Sequence, residues 1–252
     1  MLSTYLKKQA VRPAFFSNPP DSNLGIVVVI PAYNEQSLIP TMESLNSCEL
    51  PQKAVEVIIV FNASEDDSEG VISTNKEAHK EINAWYNQLS TTNYKLHIIE
   101  ELDLPKKHAG VGLARKIGMD EAARRFSMVN RNGVIACFDA DAVCDSNYLK
   151  VLEKEFLNKE ANGASIYFEH PLEGPNFPEE CFQGILYYEL FLRYYNLAQK
   201  YANLPFAFHT VGSSMAVKSN AYLLQGGMNK RKAGEDFYFL QKIIQTGNFV
   251  EL

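Results

Sequence analysis

Apolar and polar positions fall in blocks along the first half of the chain rather than alternating residue by residue. Gly25 to Ile30 is an unbroken, largely β-branched run closed by Pro31, the pattern of a strand buried on both faces. Leu38, Met42 and Leu45 follow at helical spacing, Val55 to Val60 reads as a second buried strand, and Asp67 to Leu89 as a long polar helix. A third strand is predicted over Lys95–Ile99, a helix over Val111–Phe126, and a fourth strand from Val134 to Phe138 that ends at Asp139. Strand and helix alternate in order, which implies right-handed crossovers and a parallel, doubly wound α/β sheet. Ligands of such a sheet bind at the carboxyl ends of its strands.

The second half reads differently. A helix near Tyr148–Leu157 and a strand at Ala164–Phe168 precede a Pro/Gly/Glu loop from Pro171 to Pro178. A strongly aromatic segment runs from Phe182 to Tyr201, a strand is predicted over Phe206–Val217, and a final helix over about Glu235 to Thr246. Apolar residues go nearly all round the aromatic helix, which predicts burial beneath the sheet's second half or at a dimer contact. Residues 1–24, with Pro13, Pro19 and Pro20, read as an extended lead-in.

Composition narrows the class. At 252 residues and 46% hydrophobic the chain builds one substantial core, a size usual for a single α/β domain. A formal net charge of −6 argues against general affinity for nucleic acid. Cys48, Cys137, Cys144 and Cys181 show no Cys-x-x-Cys spacing and read as reduced thiols of a cytoplasmic protein. No signal peptide or spanning segment is apparent, so membrane contact is expected to be peripheral at most.

Two clusters carry candidate chemistry. Phe138-Asp139-Ala140-Asp141 closes the fourth strand with two carboxylates, and strand alternation would turn both to one face. Mg²⁺ and Mn²⁺ take oxygen ligands, and Mg²⁺ typically uses one or two carboxylates and leaves its other positions to water and phosphate. Pro31-Ala32-Tyr33-Asn34-Glu35 closes the first strand with a ring, an amide and a carboxylate. Tyr33 is suited to stack on a base, and Asn34 or Glu35 to accept from ribose hydroxyls; Asn34 as a helix cap is the competing role.

These two motifs, together with Gly234-Glu235-Asp236, resemble family 2 glycosyltransferases of the GT-A fold in order and separation, over roughly residues 25–245. The resemblance implies a GT-A type, mostly parallel Rossmann-like sheet flanked by helices, with a smaller acceptor-side α+β part. Residues 25–145 would form the nucleotide-binding half and 146–252 the acceptor-side half of one catalytic domain. It implies a nucleotide-diphosphate sugar donor, a hydroxyl acceptor (saccharide, lipid-linked or small molecule) and Mn²⁺ or Mg²⁺ at Asp139 and Asp141. Pro31, Ala32, Tyr33, Glu35, Asn62, Arg115 and Asp139 would hold the donor. Asp236 would act as base in an inverting transfer, with Glu235 positioning donor or acceptor. A retaining transfer, or a domain that binds donor without turnover, is the alternative.

The chain departs from the family pattern at Phe61, where the first aspartate of an Asp-Asp-Gly-Ser-like stretch is usual; Asn62 is the partial substitute. His108 to Arg115 resembles the family's glycine-rich turn and Ala-Arg pair, and Arg115 is placed to pair with phosphate or with the aspartates. His209 is a candidate ligand for metal or diphosphate, although a lone histidine more often serves as hydrogen-bonded scaffold. Lys230-Arg231-Lys232 is a candidate loop to close over a diphosphate. The aromatic helix is the candidate for a peripheral membrane contact, a homodimer contact or a greasy acceptor surface.

Overall fold

A computed structural model describes residues 2–175, 177–229 and 234–252. The basic cluster at 230–232 lies outside the described residues. The first strand, β1 (Leu24–Ala32), pairs in parallel with β2 (Ala54–Ser64) on one side and β4 (Val134–Cys137) on the other, and β3 (Lys95–Leu104) extends the sheet beyond β2. Three more strands, β5 (Gly163–Ser165), β6 (Met215–Lys218) and β7 (Phe249–Glu251), complete the order β3-β2-β1-β4-β6-β5-β7. Only β6 runs against the others, pairing antiparallel with both β4 and β5. The sheet is therefore mostly parallel, as the blocks of apolar residues predict.

Each strand of the centre feeds two cores because successive side chains leave opposite faces. Val27 and Val29 pack on one face with Ile58, Val60 and Ile135, against Leu113 and Ile117 of α4 (Val111–Met128). Ile26, Val28 and Ile30 pack on the other with Val57 and Ile59, against Met42 and Leu45 of α2 (Ile39–Asn46) and Ala78 and Ile82 of α3 (Glu69–Gln88). Every residue of β1 is buried, and each such Val or Ile contributes roughly 1.5–3 kcal/mol by leaving water. Gly118 lets α4 approach β1 closely, since a Cβ there would stand 2.4 Å from Val29 Cγ1.

The lead-in differs from the expectation of extended chain. It begins with a helix, α1 (Leu2–Lys8), and Tyr5 is buried against α4, where its hydroxyl donates to Asp120 at 2.5 Å. Leu6, Val11, Phe15 and Phe16 pack on the same core. With a lid on its outer side, α4 is buried from Gly112 to Phe126 all round, and its charges must find partners inside. Lys116 pairs with Asp120, Arg124 with Glu121, and Arg125 with Glu56 of β2.

Two further expectations change in the second half. The strand over Phe206–Val217 shrinks to β6, because Ile166 N–H bonds to Ser214 O where β5 ends and residues before it turn away irregularly. The aromatic segment is α6 (Glu179–Tyr201), yet only Phe182 and Asn196 of it are buried. Its inward side carries Glu189 and Arg193, and Tyr187, Leu190, Phe191, Tyr194 and Tyr201 are exposed. Its inner face bonds through Glu189 to His170 and through Arg193 to Phe168 O, and buries Phe182. The helix over Tyr148–Leu157 is α5 (Tyr148–Leu152) continued by a π-helical turn over 153–158. The chain ends with α7 (Ser219–Leu224), α8 (Glu235–Ile244) and β7. Among the described residues, no helix is long and apolar enough to cross a membrane.

Candidate active site

Asp139 and Asp141 lie beyond the end of β4, in a turn rather than on the strand. Strand alternation therefore does not align them. The turn is set by Phe138 N–H bonding to Val29 O at 3.0 Å and by the buried Thr41 hydroxyl of α2, which donates to Ala140 O at 2.7 Å. Held at both ends, it keeps two carboxylates at the carboxyl edge of the sheet.

Arg115, one turn into α4, is the hub of the site. Its guanidinium donates to Asp139 Oδ1 at 3.1 Å and to Glu235 Oε1 at 3.0 Å, and it is almost wholly buried. Glu235 opens α8 just after Gly234, whose φ of 67° is left-handed, and acidic residues in a first turn are favoured by the helix dipole. Burial pushes the Glu235 carboxyl up despite the facing guanidinium. The clamp thus ties the end of β4 to the start of α8, two segments 96 positions apart by number, from Asp139 to Glu235.

Gly212 makes that clamp possible. A Cβ there would meet Arg115 Nη1 at 2.4 Å, so any side chain displaces the guanidinium. Gly212→Ala is expected to push the guanidinium off Asp139 and Glu235 and to destabilise the fold by about 1.5–3 kcal/mol, the scale of a hydrogen bond to a charged group. Urea denaturation of the variant measures this, and an unchanged midpoint would refute it.

On the other side of the edge, β1 delivers buried Pro31 and Ala32, then exposed Tyr33. The Tyr33 hydroxyl donates to Asp67 Oδ1 at 3.2 Å, and Asp67 Oδ2 accepts Ser64 N–H at 2.7 Å. Asn34, at φ 57°, donates its N–H to Asn75 Oδ1 at 2.8 Å rather than capping α2. Burial, then the fields of Asp141 and Asp139, push the Glu35 carboxyl up, and among the described residues Asp139 is the one of these three that forms an ion pair.

Asn62 faces inward. It is buried and donates from its amide to Ala32 O at 2.8 Å, bracing β1 against β2. Phe61 is also buried and stacks on His79 at 5.6 Å. Asp67 is the acidic residue that the second strand's loop turns toward Tyr33, one position past the stretch 62–66 that the motif comparison singles out. His209 packs edge-on against Phe168 at 5.7 Å, and burial followed by the nearby Arg193 pushes its imidazole down. Among the described residues no three His, Cys, Asp or Glu groups converge as a metal cage. Asp139 and Asp141 fit a hard cation that brings phosphate oxygens of its own.

A mostly parallel sheet with one reversed strand, a strand-end aspartate turn and an acidic helix start beyond it define a GT-A type fold. The chain belongs to glycosyl transferase family 2, whose family model matches residues 27–218. A search of curated proteins by sequence found no match. Among solved structures, S. aureus TarS residues 1–349 is 15% identical, with 91% of this chain covering 58% of that one at a TM-score of 0.57. TarS 1–349 in complex with UDP-GlcNAc is 14% identical, with 91% and 56% covered and a TM-score of 0.57. The Pyrobaculum calidifontis mannosyltransferase PcManGT, in complex with GDP-Man and Mn²⁺, is 18% identical, with 100% and 60% covered and a TM-score of 0.51. The chain spans under two thirds of the length of these structures.

Proposed function

We propose that the chain is the catalytic domain of a metal-dependent, inverting glycosyltransferase that moves a sugar from a nucleotide-diphosphate donor to a hydroxyl acceptor. The observation that carries this reading is the Arg115 clamp, which sets an acidic cation seat and an acidic helix start at one edge of the sheet. TarS bound to UDP-GlcNAc and PcManGT bound to GDP-Man and Mn²⁺ support a donor of this class.

In this reading Tyr33 and Asp67 wall the nucleoside. The backbone at Pro31 and Ala32 lies at the floor, and Glu35 faces the ribose and diphosphate side. Asp139 and Asp141 would hold Mn²⁺ or Mg²⁺, which supplies Lewis-acid stabilisation of the leaving diphosphate. Arg115 fixes Asp139 and balances part of its charge. Asp236 follows Glu235 at the mouth of α8 and accepts only Phe237 N–H, at 2.7 Å, among its hydrogen bonds within the described residues. In this reading Asp236 takes the acceptor proton, while Glu235 holds the helix start through Arg115.

The test is a thermal-shift screen of UDP-, GDP- and dTDP-sugars with and without Mn²⁺, followed by transfer or donor hydrolysis with the best donor and NMR of the product's anomeric configuration. A Mn²⁺-dependent shift of the melting temperature with one nucleotide class is expected. No shift with any donor, or retention of configuration, would overturn the donor assignment or the inverting assignment respectively.

A further inference from the structure

The segment after β5 reaches the same edge as Asp139. Strands β4 and β5 both run against β6, so their carboxyl ends lie together. Ile166 N–H bonds to Ser214 O at 2.8 Å and Tyr167 N–H to Leu252 O at 2.7 Å, which fixes the segment. Two residues before Ser214, Gly212 lies against Arg115. The stretch from Tyr167 to His170 therefore leaves the same edge of the sheet as Asp139, on the side away from Tyr33.

Within that stretch Glu189 of α6 holds His170 with two donors on one oxygen. Oε1 accepts the His170 main-chain N–H at 2.5 Å and faces ring Nδ1 at 2.8 Å. Oε2 accepts from Arg193 at 2.9 Å, and Arg193 also donates to Phe168 O at 2.7 Å. Burial raises the Glu189 carboxyl, but the hydrogen bonds from His170 and Arg193 outweigh it and hold the group down. In the neutral imidazole a carboxylate on Nδ1 holds the ring proton there and leaves Nε2 as an acceptor. None of the hydrogen bonds among the described residues reaches Nε2, and the imidazole is 42% exposed.

Tyr167 stands beside it with 63% of its surface exposed. The Arg193 guanidinium covers one face of its ring at 4.8 Å, and its hydroxyl donates to Glu169 Oε2 at 3.0 Å. Arg193 is committed to Glu189, so Glu169 and Glu189 disfavour an anionic ligand. A lipid tail offers no hydroxyl donors for His170 and Glu169.

We propose that Tyr167, Glu169 and His170 form an acceptor subsite for a neutral saccharide. The ring C–H face of the sugar stacks on the open side of Tyr167, and sugar hydroxyls donate to His170 Nε2 and the Glu169 carboxylate. Glu189 is a positioning residue that sets the imidazole's tautomer and orientation. The acceptor role rests on the transferase reading above; saccharide binding itself does not.

Saturation-transfer NMR of the full chain with methyl β-D-glucopyranoside, methyl α-D-mannopyranoside and cellobiose, with 1-propanol as control, tests the subsite. Transfer to the sugar ring protons is expected. Tyr167→Ala and His170→Ala, checked for native melting temperature, should each weaken binding by about tenfold, the scale of one well-made contact, while Tyr167→Phe retains the stacking. Absence of saccharide signals in the native chain, or signals unchanged in both alanine variants, overturns the subsite. Saccharide binding without any donor turnover overturns the transferase reading instead and leaves the subsite standing. Transfer whose acceptor KM is the same in native chain and both variants overturns the subsite and leaves the transferase standing.

Discussion

Asp236→Asn is expected to lower kcat for sugar transfer by about 10²–10⁴-fold, the usual contribution of a positioned general base. The side-chain oxygen that accepts Phe237 N–H at 2.7 Å survives in asparagine, so the first turn of α8 keeps its local geometry. What is lost is the ability to take the acceptor proton. Asp236 also makes no ion pair with Arg115, so donor binding should be little affected. The neighbouring Glu235 provides the contrast, because it is buried and bonded to the Arg115 guanidinium at 3.0 Å. Glu235→Gln weakens a charge-assisted bond and so acts on donor affinity and on stability as well as on turnover. Measuring kcat together with the calorimetric donor dissociation constant for both variants separates the roles. An Asp236→Asn enzyme with native kcat removes Asp236 as the base, whatever happens at Glu235.

The sheet was legible because its central strands are buried on both faces, which writes them as unbroken runs such as Gly25–Ile30 and Val55–Val60. Their order along the chain then placed Asp139 and Tyr33 at one edge. The clamp was half legible: the glycine-rich turn marked Arg115, but its pairing with Glu235 joins segments brought together only by the closed sheet. Gly212 carries no signal in sequence beyond being glycine, and its reason is the guanidinium against it. The lead-in was misread because prolines at 13, 19 and 20 conceal what Tyr5 and Phe16 do, which is to roof α4. In helix α6 apolar density predicts burial or a contact between copies, and the structure leaves most of that face exposed, with Glu189 bonded to His170 and Arg193 to Phe168 O on the inner side. The contacts of Asp67 with Tyr33 and of His170 with Glu189 leave no mark in the sequence, because each joins ordinary polar residues across the fold.

That roof over α4 also sets the largest effect on stability. Glu56 of β2 accepts two hydrogen bonds from Arg125, through Nε and, at 2.6 Å, through Nη2, and His97 Nε2 lies 3.5 Å away as a longer contact. Arg125 is fully buried and also donates to Asn18 O at 3.3 Å, so the lead-in depends on the same guanidinium. Burial alone would raise the Glu56 carboxyl, but the bonds from Arg125 and His97 outweigh it and bring it from 4.5 to about 2. A depressed carboxyl contributes stability above its unfolded value and loses it as the pH falls toward the folded one. The contribution is about 3 kcal/mol, fully present at neutral pH and lost progressively from about pH 4.5 down to about pH 2. Glu56→Ala removes it at every pH and strands the Arg125 charge in the core, at an expected cost of about 3–5 kcal/mol. Urea denaturation across this pH range measures both effects. The native chain should lose midpoint concentration steeply with acid, and Glu56→Gln should start lower at neutral pH and fall less. Equal midpoints for native and Glu56→Ala chains at neutral pH would show that the pair contributes nothing.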